Sequence, residues 1–170
     1  MKNGQWMVIY TDALDRYSLQ QLITKPDSGG WSLSQLYDHL ILAALDYLDV
    51  SERCAALQEE QPLDKTEFGE ELYRLGGFPD IRIQLPEGFG GIPDNSGNIE
   101  RIRHGLQNVS ERMNAWESKL AAVNPNLKLK HDGFGWLNAR EWFELAGMHF
   151  RHHLRQKAEL DRLLGIASHD

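Results

Sequence analysis

The sequence predicts an all-α protein, a four-helix bundle formed as a single domain over residues 1–170, with a long insertion between its second and third helices. Three observations carry this. Four segments repeat apolar residues at steps of three and four. Two of them open on an unusually complete set of helix-start signals. Residues 60–98 then separate the second periodic segment from the third, too long a stretch to be a plain loop.

The first helix is expected over residues 5–24, on Met7, Tyr10, Leu14 and Tyr17, stopped by Pro26 and Gly29-Gly30. The second is expected over 33–59. Ser32 is a favourable N-cap and Gln35 completes a capping box, while Trp31 and Leu36 are placed to form a hydrophobic staple. Its inward stripe reads Leu33, Leu36, Leu40, Ala43 and Tyr47. The third helix, over 99–122, carries Ile99, Ile102, Leu106, Val109, Met113, Trp116 and Leu120 with no polar interruption. The fourth is expected over 139–164. Asn138 with Glu141 makes a second capping box, and Leu137 with Trp142 a second staple. Its stripe reads Trp142, Leu145, Ala146, His149, His153, Gln156, Leu160 and Leu163.

Within the insertion, "DKTEFGEELYRLGG" predicts a short helix capped by Asp64, with Glu67 at its third position, and closed by Gly76-Gly77. "FPDIRIQLPEGFGGIPDNSGN" reads as extended or turn structure. An insertion of this length can cover one end of the bundle. It also lets the third helix run parallel to the second, which a short connection forbids.

Composition narrows the function classes. Apolar residues make up 41% of the chain, enough for a full core. Net charge is −7 and no basic block occurs, which argues against a nucleic-acid partner. The apolar run Trp6–Tyr10 is too short for a signal peptide, and no segment reaches the length of a membrane span. The expected location is the cytoplasm. The single cysteine, Cys54, cannot form an internal disulfide and reads as a buried packing residue.

Seven histidines occur, three of them within "GMHFRHHLRQ". His149 and His153 are four apart and stack on one helix face, the apolar one. His152 is rotated by about 100° from His153, toward the flank or solvent. On the second helix His39 lies between Leu36 and Ala43 on the inward stripe. Two well-specified helices thus place imidazole where their period asks for Leu. Burying three imidazoles without partners costs free energy, and a divalent metal relieves it by accepting one nitrogen from each. Gln156 and Asp38 are candidates to orient the rings through the second nitrogen. Three protein nitrogens with an open fourth position is the layout of a catalytic site. Pattern alone leaves three readings open: a metal site, hydrogen-bonded core histidines, or a pH-sensing or surface role. His131 reads as a turn cap, His104 as solvent-facing, and His169 lies in the tail. Glu-x-x-His, His-Glu-x-x-His, paired cysteines, the P-loop and Gly-x-Ser-x-Gly are all absent, so the corresponding templates are not supported.

Two stretches resemble a known family. "GGWSLSQLYDHLILA" is similar to the Trp-Ser…His-Leu signature, and "FGWLNAREWFELAGMHFRHHLRQ" to the closing His-x-x-x-His-x-x-Gln helix, of the DinB-like (damage-inducible, YfiT-like) proteins. The resemblance implies an up-down-down-up four-helix bundle, often a homodimer. It implies Zn, Ni, Fe or Mn held by the matching residues His39, His149 and His153. For some members it implies a transferase or isomerase that uses a low-molecular-weight thiol. The 60–98 insertion departs from the shortest family pattern, so no substrate contact is carried over there. The expected function is therefore a metal-dependent enzyme of the thiol-transferase or hydrolase type acting on a small molecule, with Tyr47 or Asp46 as candidate proton acceptors. The alternative is a non-catalytic, stress-related bundle that binds a metal or small ligand, or uses the histidines as core.

Overall fold

The computed structural model describes residues 4–79 and 91–166. These are mostly helical: α1 (Gln5–Leu14), α2 (Leu19–Ile23), α3 (Leu33–Ala55), α4 (Glu67–Leu75), α5 (Ile99–Leu120), α6 (Ala139–His152) and α7 (Leu154–Leu163). Two short strands, β1 (Lys128–His131) and β2 (Gly135–Asn138), stand before α6. Residues 80–90, part of the stretch read as extended, and His169 lie outside the described residues. No helix among the described residues is long and apolar enough to cross a membrane.

Both predicted capping boxes are present. The Ser32 hydroxyl accepts from the Gln35 N–H at 3.1 Å, and Gln35 Oε1 accepts from the Ser32 N–H at 3.3 Å. Asn138 and Glu141 exchange the same pair at 3.0 and 2.9 Å. These bonds satisfy N–H groups that a helix start leaves unpaired, so they set where α3 and α6 begin.

Three expectations are corrected. The predicted first helix is two, because Ser18 and Gln21 form a third capping box that restarts the chain at α2. The predicted fourth helix is interrupted at His153, which joins α6 to α7 with φ −86° and ψ −1°. The short helix α4 is capped by Thr66, whose hydroxyl accepts from the Gly69 N–H, rather than by Asp64. Asp64 is instead held against β2, its carbonyl accepting from the Trp136 N–H at 3.2 Å. The closing glycine is as expected: Gly76 ends α4 at φ 70°. The described residues are mostly helical, as expected, with one short hairpin besides. β1 and β2 pair antiparallel with Leu129 opposite Leu137 and His131 opposite Gly135. The Asp-Gly at 132–133, beside alternating apolar residues, is the sequence signal for that hairpin.

The core lies where α1, α3, α5 and α6 meet. Tyr10, Leu14, Leu33, Leu36, Tyr37, Leu40, Ala44 and Phe150 have no exposed surface. Along α3 the buried ridge is Leu36–Leu40–Ala44–Leu48. His39, Ala43 and Tyr47, expected on the inward stripe, form the adjacent ridge and are half-buried. A straight helix of 3.6 residues per turn presents its i, i+4 rows side by side, so one row faces the core and the next its shoulder. On α5 the predicted stripe holds: Ile102, Leu106, Val109 and Leu120 are buried and the rest are half-buried.

Side-chain pairs give the helix directions. Asp38 meets Arg101, Asp49 meets Arg112 and Ser51 meets Trp116, so α3 and α5 run parallel. Tyr47 packs on Trp142 while His39 meets His153, so α3 and α6 run antiparallel. The chain returning from the insertion is clasped to the start of α3. Asn95 Oδ1 bonds the Ser32 hydroxyl at 2.5 Å, Gln35 Nε2 donates to the Pro93 carbonyl at 3.2 Å, and the Asp94 N–H donates to Asp38 at 2.8 Å. Helix α4 docks on the hairpin so closely that a Cβ at Gly69 would collide with the Phe134 carbonyl.

Candidate metal centre

Two elements bring the histidines together. α3 carries His39 on its shoulder, and α6 carries His149 at the end of its apolar face, directly before the break that holds His153. His149 Nε2 lies 3.1 Å from His39 Nε2 and 3.2 Å from His153 Nε2. The three ligand atoms fall within 4.8 Å of one another. Bonds of about 2.0–2.1 Å from a tetrahedral ion would set neighbouring nitrogens about 3.3 Å apart, which the two contacts made by His149 match.

The ring nitrogens facing away support the same reading. His153 Nδ1 is 2.8 Å from Gln156 Oε1. With the amide oxygen as acceptor, Nδ1 carries the proton and Nε2 presents a lone pair to the cluster. Asp38, the other candidate for this role, is committed elsewhere: it accepts from Asp94 and Arg101. His149 Nδ1 is buried and has no hydrogen-bond partner. If that nitrogen keeps the proton, His149 Nε2 directs a lone pair at that of His153; if Nε2 keeps it, a buried lone pair on Nδ1 is stranded. A cation between the Nε2 atoms removes the conflict on the cluster side.

A proton does not serve in its place at neutral pH. Burial, with the repulsion of the neighbouring imidazoles second, holds His149 well below the usual histidine range. Burial likewise lowers His39, and brings His153 down to about 4. The unfolded chain takes up these protons near pH 6.5, the folded cluster only at lower pH. The metal-free protein is therefore expected to have its full stability above pH 6.5 and to lose it as pH falls toward 4. His153 alone contributes on the order of 3 kcal/mol. Urea midpoints between pH 7.5 and 4.5 measure this, and a flat profile would contradict the buried, neutral cluster.

The remaining candidates separate cleanly. His152 stands on the flank, half-buried, its ring 5.1 Å from Phe78. His104 is exposed on α5. His131 caps the hairpin turn, its Nδ1 accepting from the Gly133 and Phe134 N–H groups at 3.0 and 3.3 Å. Asp46 is exposed. The Tyr47 ring is 6.0 Å from that of His149, and burial pushes its hydroxyl up to about 12, so it is a proton donor rather than an acceptor at neutral pH. Two aromatic neighbours of the cluster were not legible as site residues: Trp31, 4.7 Å from His39, and Phe78, 6.4 Å from His149. Trp31 reads in the sequence as a staple and as part of the Trp-Ser signature, with no contact to His39 implied, and Phe78 arrives from the insertion.

Cys54 takes no part. It has no exposed surface, its thiol donates to the Leu127 carbonyl at 3.0 Å, and burial pushes its pKa up to about 11. An aromatic disulfide reagent is expected to leave it unmodified in the native protein and to titrate one thiol after denaturation. Rapid native modification would show that α3 and the hairpin separate readily.

A sequence profile of the DinB superfamily matches residues 9–156, a span that includes all three converging histidines and Gln156. The chain belongs to the DinB superfamily. DinB proteins are metalloenzyme-like and often bind a divalent metal. No curated protein and no solved structure matches this chain. Among the described residues, the histidines at 39, 149 and 153, all inside the DinB match, form a donor set able to hold an ion.

Proposed function

We propose that this DinB protein binds one divalent metal ion through His39, His149 and His153, and acts on a small molecule as a metal-dependent thiol transferase or hydrolase. The observation that carries the reading is the convergence of three Nε2 atoms, two contacts being 3.1 and 3.2 Å, with His153 oriented by Gln156. Three imidazoles suit Zn, Ni or Fe alike, and Mn is compatible with the superfamily. When bound, such an ion lowers the pKa of a coordinated thiol or water. The chain's own part is to present three neutral nitrogens. Tyr47 is a protonated phenol whose ring lies 6.0 Å from that of His149.

The parallel α3 and α5 and antiparallel α3 and α6 support a single-domain, up-down-down-up four-helix bundle, with α1–α2 and α6–α7 each filling one helix position. A homodimer in the cytoplasm is the assembly and location we assign to it. One observation favours a second reading, a non-catalytic metal- or ligand-binding bundle: neither candidate proton acceptor serves, Asp46 being exposed and Tyr47 held neutral.

Metal analysis of untagged protein, followed by cobalt(II) loading and thiol titration, tests the proposal. One ion per chain and a cobalt spectrum that changes on adding thiol are expected. A protein that takes up no ion loses the whole reading. A cobalt spectrum indifferent to every thiol leaves the water-based hydrolase and the non-catalytic bundle, which hydrolysis of model esters then separates.

A further inference from the structure

The surroundings of the histidine cluster carry a statement about what it binds. Because His39 lies on the shoulder of α3, the cluster is closed on one side by the core and borders the surface on the other. His149 is buried, while His39 and His153 are half-buried. The rings beside them are also half-buried: Trp31, Tyr47, Phe78 and His152. Aromatic residues of the core are covered more fully: Tyr10, Tyr37 and Phe150 have no exposed surface, and Trp6 is 2% exposed. Aromatic faces near the histidines are therefore left partly uncovered.

They are also held in place. Trp31 directly precedes the Ser32 cap, and its ring is 4.7 Å from that of His39. Phe78 packs on Phe134 of the hairpin turn at 5.8 Å and on His152 at 5.1 Å. Tyr47 rests on Trp142 at 6.1 Å. Rings fixed in this way lose little freedom when a flat ligand slides against them, and they favour offset or edge contacts with another ring.

Charge points the same way. Among the described residues, Arg101, which meets the neighbour of His39, and the cations within four residues of His153 are each engaged. Arg101 pairs with Asp38 and Asp94, Arg155 with Glu159 and Lys157 with Asp161, while Arg151 donates to the Gly76 carbonyl. A ligand with carboxylate or phosphate arms would have to share these cations with the partners they already hold. The net charge of −7 adds to the penalty.

We infer that the site takes a small aromatic molecule, uncharged apart from one metal-binding atom, with its ring lying among Trp31, Tyr47 and Phe78. This rests on the proposed metal site and names the class of ligand that the site selects.

The test uses the cobalt(II)-loaded protein and four thiols: phenylmethanethiol, cyclohexylmethanethiol, 2-mercaptoethanol and mercaptosuccinate. Affinity is read from the cobalt spectrum. Phenylmethanethiol is expected to bind at least tenfold more tightly than 2-mercaptoethanol or mercaptosuccinate, and about threefold or more over its saturated counterpart. Phe78→Ala, and the milder Phe78→Leu, are expected to bring the aromatic-to-saturated ratio close to one. Using the ratio within each protein cancels any change in cobalt affinity. Equal binding of the four thiols, or preference for mercaptosuccinate, overturns the inference while leaving the metal site standing. Failure to take up cobalt overturns the metal site and this inference with it.

Discussion

Replacing His149 by Leu is expected to abolish stabilisation by metal and to leave the metal-free protein at least as stable as before. The two halves come from one observation. His149 is 8% exposed, its Nδ1 has no partner, and its Nε2 is crowded by two other imidazoles. Without an ion this is a poor way to fill a core position. Leu occupies a similar space with no polar atom to satisfy, so the metal-free variant gains up to about 1–2 kcal/mol. In the parent, zinc at a thousandfold excess over its dissociation constant adds ~4 kcal/mol. For a chain of this size that raises Tm by roughly 8–16 °C. Thermal unfolding with and without zinc, on both proteins, reads the effect directly. A zinc-dependent rise retained by His149→Leu would remove His149 from the ligand set. A metal-free variant weakened by more than about 2 kcal/mol would mark the histidine as ordinary core. His39→Ala and His153→Ala are expected to lose the bound ion as well, with smaller changes in the metal-free protein because both rings are half-buried.

The second large effect lies one turn further along. Lys157 and Asp161 are buried on α7, their charged groups 2.7 Å apart, and the Tyr17 hydroxyl donates to the other Asp161 oxygen at 2.7 Å. Asp161→Ala is expected to cost about 3–5 kcal/mol, because the Lys157 ammonium is left in the core with no counter-charge. Tyr17→Phe should cost less, about 1.5–3 kcal/mol, since it removes one hydrogen bond to a charge. The double replacement Lys157→Met with Asp161→Leu should recover most of the loss, since two apolar side chains need no partner. Urea unfolding of the three proteins measures this. A loss below about 1 kcal/mol for Asp161→Ala would mean that water reaches the pair.

This ion pair shows where pattern reading fails and why. A continuous helix over 139–164 puts Gln156 and Leu163 on the inner stripe. The interruption at His153 shifts the stripe, so that Lys157 and Asp161 turn inward and Leu163 is 56% exposed. Periodicity carries no signal for such a break, since His153 is neither Gly nor Pro. The first helix failed for a different reason. Ser18 and Gln21 carry the capping signature, but Tyr17 continues the three-and-four spacing across it, so periodicity alone runs the two helices together. Tyr17 is buried regardless, held by Asp161 from the far end of the chain.

What the sequence determined by itself is local or periodic. The boxes at Ser32–Gln35 and Asn138–Glu141 need only three residues to form, so α3 and α6 start where those residues say. The uninterrupted seam of α5 and the i, i+4 placement of His149 and His153 follow from 3.6 residues per turn. Tertiary structure alone decided which rings meet. The contact of His39 with His149 spans 110 residues of chain, and its 3.1 Å depends on how closely α3 and α6 pack. Trp31, just before α3, meets His39, and Phe78, from beyond α4, meets His149. No spacing along the chain encodes such meetings, because they are set by the packing of whole helices and by where the clasped insertion leaves its side chains.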